Sequence, residues 1–161
     1  MRRCILKRKI LFVLLLGVLV LGLTGCGENK ATIIDNNGNK VEMTSKDLVE
    51  VNKENNSKFE TKYFLSDIDL TSTIQKVEAE GSYTCGSNSK FFYGDPYDLI
   101  YLSDGWTLCV RNYDLAKLDK DMKIRVKGVI VGIEGTNITV SGKSDKKTAI
   151  RPNEIDIEFL D

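Results

Sequence analysis

Histidine is absent from the 161-residue chain. That absence excludes the Ser-His-Asp and Cys-His sites in which an imidazole takes the proton of a nucleophile. It also excludes the usual His-bearing zinc centres. Cys85-Gly86-Ser87 has no imidazole beside it in sequence to generate a thiolate. No glycine loop of the kind that cradles phosphate and no dinucleotide fingerprint is present. Carboxylates do occur in pairs, as in Asp67 with Asp69, Asp95 with Asp98 and Asp119 with Asp121. Each pair alternates on a strand or sits in a turn, where acids are solvated, rather than facing a bond to be cleaved. Asp35, Asn37 and Asn39 mimic the opening of a calcium loop, but Lys40 stands at the glycine position and Lys46 at the glutamate position. The expectation is a non-catalytic protein with no cofactor and no metal.

Long apolar runs are scarce too. The longest, from Ile10 to Leu23, holds about 14 apolar or glycine residues, fewer than the ~20 that a helix needs to span the hydrocarbon core. It follows a cationic start containing Arg2, Arg3, Lys7, Arg8 and Lys9, and it ends in Leu23-Thr24-Gly25-Cys26. These are the parts of a secretory signal peptide. Leu23-Thr24-Gly25-Cys26 resembles the bacterial lipobox. The resemblance implies cleavage after Gly25, palmitate-class lipidation of Cys26, and a mature protein attached to the cell membrane and facing outside the cytoplasm. Residues 1–25 are then the signal peptide with its lipobox, residues 26–31 a lipidated tether, residues 32–43 a β-hairpin and residues 44–161 a single domain. Removing the signal removes five of the 23 basic residues and no acid, which leaves 18 basic against 23 acidic groups. A polyanion is bound mainly through clustered Lys and Arg, so this balance disfavours nucleic acid as a partner.

With Cys4 in the signal and Cys26 lipidated, Cys85 and Cys109 remain. An oxidising exterior permits a disulfide between them, the alternative being two half-buried thiols.

Along the mature chain, Asn37-Gly38 between short apolar pieces predicts a hairpin turn. Thr44, with Asp47 three residues on, predicts the capped start of a helix that ends near Asn55 to Ser57. Phe59, Tyr63 and Phe64 are expected to lead into extended chain. From residue 66 the apolar period becomes two, the mark of strands with one buried face. Strands are predicted over 66–74, 98–103, 106–110, 123–133, 138–140 and 155–159, with a hairpin turn at Asp104-Gly105 and a sharp bend or bulge at Gly128.

The run from Asp119 to Ile130, followed by Ile138-Thr139-Val140, resembles the last two strands of OB-fold proteins. Asn55, Phe59, Tyr63 and the run from Ile68 to Ile74 resemble the helix and first strand of the tRNA-anticodon-binding-like OB family of bacterial lipoproteins. The likeness covers about residues 44–142. It implies a mostly β fold: a five-stranded Greek-key barrel preceded by a short helix, with residues 155–159 an extra C-terminal strand. Such barrels bind ligands on the face of their second and third strands, and eight of the chain's thirteen aromatic residues fall between 83 and 113. Tyr93, Tyr97 and Trp106 are therefore the ligand-binding candidates, set against the alternative that these rings pack the core. The function expected is a lipid-anchored binding module for an envelope protein or glycan. The alternatives are an OB-type binder of single-stranded nucleic acid and a structural or regulatory partner of a membrane protein.

Overall fold

The computed structural model describes residues 29–85, 96–142 and 150–160. The fold is mostly β: one eight-stranded sheet accompanied by two helices. It opens with a hairpin of β1 (Ala31–Ile34) and β2 (Lys40–Met43), paired in register from Ala31 with Met43 to Ile34 with Lys40. Ala31 is already buried in β1, so the free tether ends before it. The turn is wider than the Asn-Gly pair suggests. Only Gly38 has a positive φ, and Asp35 organises the loop by accepting hydrogen bonds from the amides of Asn37 (3.0 Å) and Asn39 (2.9 Å).

Helix α1 (Ser45–Glu54) begins as its sequence demands. The Asp47 amide donates to Thr44 Oγ1, and the Thr44 amide donates to Asp47 Oδ2 at 2.8 Å, closing a capping box. The Thr44 amide and the Thr44 hydroxyl, which donates to Asp47 Oδ2 at 2.9 Å, hold the Asp47 carboxyl below its usual pKa range. A second helix, α2 (Asn56–Lys62), replaces the extended chain expected at Phe59. Its signal was Asn55, which ends α1 and also caps α2 by accepting from the Lys58 amide at 2.9 Å. Leu48 and Val49 of α1, with Phe59 and Tyr63 at α2, are buried in the main core.

Strand β3 (Asp67–Ser82) runs 16 residues, eight past the end of its sequence-based estimate at 74, and serves two sets of neighbours. Its first half pairs with β1 on one edge and with β6 (Lys123–Glu134) on the other. Past a register shift near Ile74 to Lys76 it pairs with β4 (Tyr97–Leu102). Strand β4 pairs with β5 (Trp106–Val110) across a turn in which Asp104 and Gly105 both take positive φ, 67° and 77°. Strand β5 runs parallel to β7 (Asn137–Ser141), and β7 pairs back to β6. Strand β8 (Asp156–Leu160) adds to β6. Part of the sheet thus curls into a barrel-like ring, and the ring is partial, with β1, β2 and β8 lying outside it.

Strand alternation sorts the apolar side chains onto two sides. Ile68, Leu70, Ile74, Ile100, Trp106, Leu108, Ile124, Val126, Ile138 and Val140 point inward and form the main core. Tyr97, Leu99, Cys109, Val129 and Val131 point the other way and form a second core with Cys85 and Ile150. The bulge in β6 lies between Ile130 and Gly132 and not at Gly128. What requires glycine at 128 is proximity: a Cβ there would stand 2.5 Å from the Ser141 carbonyl oxygen.

Candidate ligand-binding face

Two of the three aromatic candidates carry no ligand surface. Tyr97 is 0% exposed and Trp106 1% exposed. Trp106 faces the main core and Tyr97 the second, because β5 and β4 bury both of their faces. A ring with no open face cannot stack on a base or sugar, so both are corrected to packing residues. Arg111 closes over Tyr97 as well, its guanidinium carbon 4.3 Å from the ring centroid. Tyr93 lies outside the described residues. Cys85 and Cys109 are joined as a disulfide with their Cα atoms 5.7 Å apart. Both are fully buried in the second core, so the bridge fastens the chain just before residue 86 onto the outer face of β5. The face of β4 and β5 that the resemblance marks for ligand is therefore covered.

The opposite outer face, across β1, β3, β6 and β8, is open. Its side chains are those left outward by the same alternation: Thr32 and Ile34 on β1; Asp67, Asp69 and Thr71 on β3; Lys123, Arg125 and Lys127 on β6. Register places Asp69 opposite Lys127 and Thr71 opposite Arg125. Arg125 spans this diagonal and grips Asp69 with two hydrogen bonds, Nε to Oδ1 at 2.9 Å and Nη2 to Oδ2 at 2.7 Å. These bonds, helped by the nearby charges of Lys127 and Lys40, hold the Asp69 carboxyl below its usual pKa range against the opposing effect of burial. Lys127 in turn lies 4.0 Å from Asp156 of β8.

Two hollows adjoin this ion pair. The larger, of about 600 Å³, is lined by Ile34, Lys40, Asp67, Ile68, Lys127, Gly128 and Glu154 along with Thr32 and Asp69. The second, of about 420 Å³, shares Thr32 and Asp69 and adds Asn29, Lys30, Thr71, Arg125 and Leu160. Ile34, 48% exposed, gives the larger hollow an apolar wall. The arrangement offers charged hydrogen-bonding groups of both signs around an apolar patch, which suits recognition of a polar ligand or a peptide. Asp69 is committed to Arg125 by this pair of hydrogen bonds. Among the described residues, no group of three or more His, Cys, Asp or Glu is placed to hold a metal.

Sequence reasoning treated Asp67 and Asp69 as solvated acids and passed over Arg125. The available signal was a pattern of opposite signs on two period-two strands, Asp67-x-Asp69 against Lys123-x-Arg125-x-Lys127. Cross-strand attraction makes such strands natural neighbours.

No family model, curated protein or solved structure matches this chain. Among the described residues no helix is long and apolar enough to cross a membrane.

Proposed function

We propose that the mature protein is a non-catalytic, membrane-anchored lipoprotein outside the cytoplasm, and that an OB-type barrel in it binds an envelope protein or glycan. The observation that carries the reading is the order of strand pairings. β3 meets β4, β4 meets β5, β5 runs parallel to β7, β7 meets β6, and β6 returns to β3. This order supports the reading of a five-stranded Greek-key OB barrel whose first strand is shared between two neighbours. Its kinship to the tRNA-anticodon-binding-like lipoproteins belongs to the same proposal and rests on the sequence pattern.

The binding site in this reading is the open face around Asp69 and Arg125, not the aromatic segment. The nucleic-acid alternative loses its stacking platform with Tyr97 and Trp106 buried, and 18 basic against 23 acidic groups give it no electrostatic drive. Crosslinking of the full-length protein in its native membrane, followed by mass spectrometry, tests the proposal. A reproducible envelope protein or glycan should be captured, and the variant Ile34→Asp with Lys127→Glu should lose it while remaining folded. Capture that is unchanged by this variant places the site elsewhere.

A further inference from the structure

Strand β8 ends the sheet. Its hydrogen-bonded neighbour is β6, and no second strand among the described residues pairs with it. A strand in this position leaves a row of backbone amides and carbonyls that another extended chain can complete. Two common devices against such pairing are missing from β8. It runs beside β6 in unbroken register, from Leu160 against Lys123 to Asp156 against Lys127, without a bulge, and it contains neither Lys nor Pro.

The same register sorts what β8 offers on either side of its free edge. Asp156 and Glu158 stand opposite Lys127 and Arg125, on the side of the sheet that carries Asp69. Ile157 and Phe159 stand opposite Val126 and Ile124, both buried in the main core. Ile157 packs against that core, whereas Phe159 is left 40% exposed. The two acids are poorly matched within the fold. Arg125 turns to Asp69, so that Glu158 makes no ion pair among the described residues, and Asp156 has only the 4.0 Å contact with Lys127. From residue 152 to residue 161 the chain holds Glu154, Asp156, Glu158 and Asp161 and no basic residue.

The strand that β8 already pairs with shows the pattern it accepts. Lys123-Ile124-Arg125-Val126-Lys127 sets basic residues against Asp156 and Glu158 on one side and aliphatic residues against Ile157 and Phe159 on the other. A strand of the same pattern at the free edge would meet the two acids with its basic residues and cover Phe159 with its apolar ones, and cross-strand pairs of both kinds are favourable. A second copy of β8 fits badly. Antiparallel pairing centred on Ile157 or on Glu158 opposes acid to acid, which is destabilising.

We infer that the free edge of β8 docks an extended segment of another protein, one in which Lys or Arg alternates with apolar residues, as a further strand of the sheet. Backbone hydrogen bonds supply the affinity. The acids supply the selectivity, by attracting a basic strand and repelling an acidic one. The inference does not depend on what the hollows beside Asp69 hold.

The test uses the full chain in detergent and, as probe, a capped peptide of residues 122–128, in which basic residues alternate with Ile124 and Val126. NMR titration follows binding, and amide hydrogen exchange reports where the peptide lies. Saturable binding should slow the exchange of amides in 156–160 and leave those of β6 unchanged. E158K, at an exposed position, should weaken binding about tenfold, as should glutamate in place of the peptide's three basic residues. F159S should weaken it as well. Absence of binding, unchanged exchange in β8, faster exchange in β6, or indifference to E158K overturns the inference. Dimerisation of the chain alone with its β8 amides protected gives the edge to a second copy and overturns it likewise.

Discussion

The two outer faces of the sheet are built by the same alternation of strand residues and end in opposite conditions. Outside β4 and β5, Tyr97, Leu99 and Cys109 are covered by Cys85 and Ile150 and become a second core. Outside β1, β3 and β6, Thr32, Asp69 and Lys127 line open hollows. The difference comes from what the chain lays over each face. A disulfide with a sequence separation of 24 pins one segment against β5, whereas the outward residues of β3 and β6 are charged and pair laterally with each other. Burying the second set would require desolvating an ion pair, and burying the first set removes apolar area from water. The contrast teaches that Tyr97 and Trp106, which aromatic composition singles out, are packed on both sides, while the open hollows are lined by charged and small side chains.

This contrast can be broken most forcefully at Tyr97. Tyr97→Ala should cost about 3–5 kcal/mol, as for other fully buried aromatics, read as a large drop in the urea midpoint. The corresponding truncation on the open face, Ile34→Ala, should stay within about 0.5 kcal/mol. Equal effects would erase the distinction between the two faces. Next in size, replacing Cys85 and Cys109 together by Ala should cost about 3 kcal/mol through the entropy of the released loop. A thermal melt with and without reductant gives the same comparison in the parent protein, and insensitivity to reductant would show that packing alone closes this face.

A smaller effect, of opposite sign, sharpens the description of the closed face. Thr107 and Thr139 are cross-strand partners on β5 and β7, both buried, and among the described residues neither hydroxyl has a hydrogen-bond partner. Replacing Thr107 by Val removes an unsatisfied polar atom at nearly constant shape, so stability should be unchanged or rise by up to about 1 kcal/mol; a clear loss by calorimetry would mean that the hydroxyl is satisfied. The smallest effect is expected at the ion pair, whose two partners are both more than a third exposed. Because Asp69 has a lowered pKa in the fold, its contribution is present above the unfolded carboxylate value and disappears as pH falls through the lower folded value. Asp69→Asn should therefore be slightly less stable than the parent at neutral pH and converge with it in strong acid. A gap that widens on acidification would refute this.

Much of the local structure was legible in sequence. Thr44 and Asp47 announced the start of α1, Asp104-Gly105 announced the β4–β5 turn, and the period-two pattern marked where β6, β7 and β8 run, with one-face burial clear in the first half of β6. The α2 helix was hidden because Asn55 reads as a stop, and only its side-chain bond to Lys58 makes it also a start. The length of β3 was hidden because its second half loses the alternation. The burial of Tyr97 and Trp106 was hidden for a related reason: aromatic composition does not say which side of a strand is covered; the pairing of Arg125 was hidden because its partner is 56 residues away.

By itself, the sequence determined the absence of histidine, the acidic balance of residues 26–161, and the places where strands and caps begin, because these depend on residue identity and short-range spacing. Tertiary structure alone decided which outer face is open and which charges meet across strands. Those depend on register and on what packs over a face, and both are set by contacts between residues far apart in the chain.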